Sequence, residues 1–218
     1  MKALLWALPA YGVLLGLSTL THQPPVSDFG AYADYVTTDI FLTSHLGASV
    51  FGAALAILGA VGLAFTLGFS RPALAGLTLT TVANVFLAAT FGSAAFVQPG
   101  IGRAHQAGVA GMPALNDDTA YGSALVVTAL SASFLLVVAA VVMGVALSRA
   151  ALKPYGIAYA SLMALFVAGI AVPVVQPFAG FAFAAATGLL AFSVARHDSF
   201  VGAVSGRSRA QSVPTRQA

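Results

Sequence analysis

Apolar residues in this chain run in long unbroken stretches rather than alternating or recurring as a narrow stripe. Six stretches approach the ~20 residues a helix needs to cross a hydrocarbon layer: roughly 3–21, 40–69, 72–97, 121–148, 155–175 and 177–195. Ser70-Arg71-Pro72 and Lys153-Pro154 place a cation and a proline where a new helix would begin. Proline suits that position because the first-turn N–H has no intrahelical partner. Gln176-Pro177 divides the last apolar stretch with almost no loop, leaving two spans or one kinked segment as the alternatives. The pattern predicts an all-α fold, a polytopic transmembrane helical bundle of about six spans over 1–195. Outer loops are expected at 22–39 and 98–120, with a flexible basic tail at 196–218.

Within these elements the polar residues are few and placed. In the first loop Asp28 is a suitable N-cap for a short helix whose Phe29, Tyr32 and Val36 share one face, and its tyrosines suit a helix lying in the membrane interface. Asp39 is expected to cap the second span, and His45 follows ~8 Å further in at 1.5 Å per residue. Ser49, Gly52, Ala56 and Gly59 continue the histidine's face at helical spacing. Small residues mark close helix approach, so His45 should point into the bundle. In the third span Asn84 shares a face with Thr81, Ala88 and Gly92. An asparagine in hydrocarbon needs partners, and Thr128 or Ser131 of the fourth span, or a bound ligand, would supply them. The second loop is glycine-rich and ends in Asn116-Asp117-Asp118-Thr119, a capping cluster for span four. It is long enough to fold over the mouth of the bundle. Gln23-Pro24, Gln98-Pro99 and Gln176-Pro177 recur at the outer ends of spans one, three and five, which suggests repeated helical hairpins.

Composition makes the membrane reading firm. The 218 residues are 59% hydrophobic and 7% charged, with mean hydropathy +0.94, against about 25% charged in an ordinary soluble domain. There is no cysteine, which excludes disulfides, thiolate metal sites and cysteine nucleophiles. The net charge of +3 is dispersed over the ends of apolar runs, so no nucleic-acid partner is expected. With the N-terminus inside, Lys2, Arg71, Arg149, Lys153, Arg196, Arg207, Arg209 and Arg216 lie on the inner side and Arg103 alone lies outside. That asymmetry predicts a multi-pass protein of the cell membrane with both termini cytoplasmic. Asp28, Asp34, Asp39, Asp117 and Asp118 then make the outer face acidic. The first span is expected to be a retained helix, since no small-x-small cleavage site follows it.

The chemistry open to such a chain is narrow. No span carries Asp, Glu, Lys or Arg in its centre, which weighs against ion pumps, voltage sensors and proton-coupled transporters. No nucleophile elbow, zincin or phosphate-loop motif occurs. His22, His45 and His105 map to the outer side with Asp39, a donor set suited to zinc, copper or iron. Two of these histidines on adjacent helices would also suit haem. Their spacing matches no metal motif.

Thr21-His22-Gln23-Pro24, Tyr32-Ala33-Asp34-Tyr35-Val36, Phe41-Leu42-Thr43-Ser44-His45-Leu46-Gly47 and Leu115-Asn116-Asp117-Asp118 together resemble a group of bacterial multi-span membrane proteins with no assigned activity. The resemblance implies the architecture and no mechanism. Three functions remain open: a non-enzymatic accessory subunit that meets membrane-protein partners through its small-residue faces, a lipid or small-molecule binder using Asn84, and an outer-face metal or haem redox protein using His45 with His22 or His105. The first is the leading expectation, and with it the absence of catalysis.

Overall fold

A computed structural model describes the backbone of residues 2–210 and the side chains of residues 2–196. Among the described residues every regular element is helical. The long helices are α1 (Lys2–Ser18), α3 (Asp39–Thr66), α4 (Arg71–Gln106), α6 (Ser123–Arg149), α7 (Lys153–Ala168) and α8 (Val175–Ala210). Two short helices, α2 (Phe29–Val36) and α5 (Met112–Thr119), sit in the connections. Of these helices, α3, α4, α6 and the part of α8 up to Arg196 are long and apolar enough to cross a membrane, and α1 is a shorter apolar helix.

The six longer helices close into a ring in chain order: α1 packs on α3, α3 on α4, α4 on α6, α6 on α7, α7 on α8, and α8 returns to α1. Small residues set the closest approaches. A Cβ added to Gly12 would lie 2.6 Å from the Ala184 backbone nitrogen, and one added to Gly180 would lie 2.5 Å from that of Gly16, so the α1–α8 seam brings backbone almost onto backbone. Gly144 and Gly156 do the same between α6 and α7. On α3, Gly52, Ala56 and Gly59 are buried, with Tyr11 of α1 beside Gly52 and Leu8 beside Gly59. Dispersion and close packing hold such helices together where lipid removes the hydrophobic driving force. One continuous core of Leu5, Leu8, Leu63, Met143, Leu147, Tyr159, Met163 and Phe183 fills one half of the ring.

The other half carries a cap. Phe29, Tyr32 and Val36 of α2 pack against Phe41 and Ile101, with Met112 alongside. Asp28 accepts from the Ala31 backbone N–H at 3.2 Å and so caps α2 as expected. The apolar face of α2 is covered by protein, however, and Tyr32 is fully buried rather than set among headgroups. The covering surface comes from α4, which continues straight through Gln98-Pro99 to Gln106. At 36 residues it is ~54 Å long, well beyond a ~30 Å hydrocarbon core. The expected loop at 98–120 is therefore mostly helix. It comprises the last quarter of α4, a turn with positive φ at Gly108 and Gly111, and α5.

Three local expectations are corrected by this arrangement. Thr38, not Asp39, caps α3, accepting from the Phe41 N–H at 3.2 Å, while Asp39 occupies the first turn where its charge complements the helix dipole. Asn116 to Thr119 form the end of α5 rather than a cap for α6, which Gly122 precedes. The three Gln-Pro pairs occupy unlike settings, a loop, a helix interior and the first turn of α8, so they mark no common hairpin. The fifth and sixth apolar runs are separate helices. In the region expected as a flexible tail the backbone continues helical to Ala210, and residues 211–218 lie outside the described residues.

Candidate functional site

At the capped half, the ring does not close on itself. It encloses a cavity of ≈ 440 Å³ to which each of the six ring helices or their terminal turns contributes. Pockets of this size are ordinary for small-molecule sites. Leu15, Leu87, Leu136, Phe91 and Phe166 supply much of the wall, and no Asp, Glu, Lys or Arg lines it. Two lining residues, Leu130 of α6 and Ile170 just after α7, are 65% and 62% exposed. The lining is thus exposed at α6 and just after α7, with Phe91 of α4 also 41% exposed. The exposure at α6 and α7 has a plain cause. Gly144 and Gly156 clamp these helices at one end, whereas α6 has no buried residue before Ala132 and α7 none between Met163 and its end.

His45 lines the cavity, as its position above the small-residue face suggested. Its Nδ1 lies 2.9 Å from the Phe41 carbonyl oxygen, which can only accept. Nδ1 therefore carries the proton, and in the neutral ring Nε2 presents a bare lone pair. The imidazole is wedged between Phe41 and Phe91, with centroids 4.0 and 6.1 Å away. It also opens a seven-residue π-helical segment, His45–Phe51, inside α3. Such segments insert an extra residue into an α-helix and often mark functional positions. Here the extra residue lets His45, Ala48 and Ser49 face the cavity while Gly52, Ala56 and Gly59 still face α1.

Asn84 is the second polar anchor, only 1% exposed and part of the lining. Its amide donates to the Thr80 carbonyl of its own helix at 2.9 Å. The expected bond across to Thr128 or Ser131 is not formed; Thr128 bonds the Ala124 carbonyl of its own helix instead. Asn84 Oδ1 is left without a hydrogen bond. Thr81, expected to act with Asn84, bonds the Leu77 carbonyl and is not part of the lining.

The proposed metal set is dispersed. His22 and Asp39 are exposed. His105 sits in the cap, its ring edge-on to Phe29 at 4.9 Å. Among the described residues no three His, Asp or Glu side chains group so as to hold a metal ion. His45 enters the cavity as the sole histidine of its lining.

Other lining residues escaped sequence reasoning: Tyr11, Ser133 and Gln176. Gln176 had a readable signal, a polar amide in the first turn of an apolar helix. Tyr11 and Ser133 had none, since each is unremarkable on its own helix. The α1–α8 seam also had a signal, the Gly12-x-x-x-Gly16 spacing of close-packed membrane helices.

The cap holds its own polar network. Tyr32 donates to Asn116 Oδ1 at 3.0 Å, Gln23 donates to the Tyr121 hydroxyl at 2.7 Å, and Gln106 donates to Asp34 at 2.8 Å. Burial pushes the Tyr32 phenol well above its usual range, and it raises Tyr121 too. Asn116 Nδ2 and Gln98 Oε1 are buried without partners among the protein atoms.

Among the described residues these features define an all-helical ring with four membrane-length apolar helices and a cavity whose lining carries no Asp, Glu, Lys or Arg. Compared with protein-family models, curated proteins and solved structures, the chain has no significant match.

Proposed function

We propose that this chain is an integral membrane protein that binds a small amphiphilic molecule, lipid or lipid-like, in the cavity between its helices. The observation that carries the reading is the pairing of an uncharged ≈ 440 Å³ cavity with two anchoring polar side chains, Asn84 and His45, whose inward atoms have no protein partner. A polar atom that faces an apolar cavity without a protein partner is normally met there by a ligand or water. In this reading all six ring helices span the cell membrane. Lys2, Arg71, Arg149, Lys153 and Arg196 stand at the uncapped end of their helices, which supports a cytoplasmic placement for that end and for both termini. The cap and the exposed part of the lining then belong to the outer half of the bilayer.

The small residues that suggested an accessory subunit are engaged inside the ring: Gly12 and Gly16 on α8, Gly52 and Gly59 on α1, Gly144 on Gly156. Among the described residues these seams are thus occupied within the ring, which favours the binding reading. The test is mass spectrometry of protein extracted into native-lipid nanodiscs. A defined small molecule should remain bound to the wild type and be at least tenfold depleted in Asn84→Leu. An empty wild-type protein that also takes up no amphiphile refutes the reading.

A further inference from the structure

The polar atoms facing the cavity are biased in one direction. Ser18 and Thr19 donate to the Leu15 carbonyl at 3.0 Å, Ser44 donates to Phe41 at 2.9 Å and Ser133 to Ala129 at 2.9 Å. Each of these hydroxyls has used its proton on its own helix, so its oxygen meets the cavity as an acceptor. Asn84 has committed one amide N–H to Thr80, and Gln176 directs one amide N–H at the Phe166 carbonyl at 3.3 Å. Each therefore leaves its carbonyl oxygen and one further N–H. His45 has used Nδ1–H on Phe41 and leaves Nε2. The hydroxyls of Tyr11 and Ser49 make no hydrogen bond within the chain and can turn either way. The free groups thus include three atoms that only accept and four spent hydroxyl oxygens that also accept, against one remaining amide N–H each on Asn84 and Gln176, so acceptors outnumber donors.

We infer that the cavity selects an uncharged amphiphile whose head carries hydrogen-bond donors, O–H groups above all, received by Asn84 Oδ1 and His45 Nε2. This inference rests on the binding reading above and names the chemical class of its ligand. A carboxylate or phosphate head would meet mostly lone pairs and no cation to offset its desolvation. An ammonium head would find no carboxylate, and a buried unpaired charge is costly. A neutral hydroxyl head meets neither penalty. In this inference its apolar tail leaves past Leu130 and Ile170, the two most exposed residues of the lining. The ligand therefore enters from the bilayer itself rather than from water.

Two sources supply such a head: a phenolic one, as in a hydroquinone, or an aliphatic alcohol, as in a diacylglycerol. Matched probes separate them. Decylhydroquinone is compared with its dimethyl ether, and 1,2-dioctanoylglycerol with its 3-O-methyl ether, by binding to the full chain in nanodiscs. Decanoate serves as the charged control. At least one hydroxyl probe should bind about tenfold tighter than its ether, the factor expected for one hydrogen bond made or lost in a dry site. Whichever pair shows the difference identifies the head. His45→Phe and Asn84→Leu should each reduce that discrimination towards unity while leaving ether binding in place. If Asn84→Leu does not assemble, His45→Phe decides alone. Equal binding of free and methylated probes, stronger binding of decanoate, or discrimination that survives His45→Phe overturns the inference. A co-purified ligand lacking any O–H or N–H overturns it while leaving the binding reading intact. A protein that retains nothing and binds no probe overturns both.

Discussion

Tyr32 shows how one side chain ties the cap together. It is fully buried, stacks on Phe29 with ring centroids 5.2 Å apart, and gives its hydroxyl proton to Asn116. Because burial raises its proton affinity in the folded state, the phenol stays neutral while an unfolded tyrosine ionises near pH ~10. The stability this confers is complete below that pH and falls as pH rises above it. Tyr121, raised by the same cause, adds to the slope. Thermal unfolding followed between pH 8 and 11.5 should show a drop in Tm above about pH 10. Tyr32→Phe should flatten that drop. At neutral pH it should lower stability by ~1–3 kcal/mol, because Asn116, whose Nδ2 is already unpaired, then loses its only side-chain partner. An unchanged Tm and an unchanged alkaline slope would count against a structural role for this bond.

At the scale of the helix, the π segment and the glycine seams make separable predictions. Removing one residue from the π segment restores α-helical pairing and rotates one side of α3 against the other by ~100°. Gly47 is the residue to delete, since nothing lies within 4 Å of where its Cβ would be. Deletion of Gly47 should leave the helix content by circular dichroism unchanged and turn His45 out of the cavity, so ligand retention falls as in His45→Phe. Retention at wild-type level would mean that the π segment does not aim the histidine. The seams respond differently. A side chain at Gly12 or Gly156 has backbone in its way, from Ala184 and Gly144 respectively. Gly12→Val and Gly156→Val should each destabilise the ring by about 1–3 kcal/mol through overpacking. Gly47→Ala, facing open space, should be near neutral in the same Tm assay.

For the whole molecule, the prediction concerns orientation. The chain contains no cysteine, so single cysteines can be introduced without background. Ser70→Cys, between α3 and α4, should be shielded from a membrane-impermeant maleimide in intact cells and labelled after lysis. Gly100→Cys or Gln106→Cys, on the exposed side of the α4 extension, should be labelled in intact cells. The reverse pattern would invert the topology and place the exposed part of the lining in the inner leaflet. Labelling at both sites in intact cells would mean that α4 does not cross the membrane.

What could be read without coordinates was whatever depends on local composition. Long apolar runs with cations at their ends dictate helices in lipid, since no other element satisfies its own backbone there. Asp28 with the Phe29–Tyr32–Val36 face dictated α2, and the small-residue face below His45 announced an inward histidine. The course of α4 past Pro99 was not readable. A proline ends a helix only where nothing else supports the backbone, and here α2 packs on this length of helix, with Gly102 lying against Ala33 and Val36. Nor was the cavity. Its wall forms where α6 and α7, clamped at Gly144 and Gly156, bury nothing before Ala132 and nothing after Met163, which is a relation between two helices that neither sequence carries alone. The same holds for the acceptor bias of its lining. Serine, asparagine and histidine each offer donors and acceptors in sequence, and only the fold decides which of the two is spent on the backbone and which is left for a ligand.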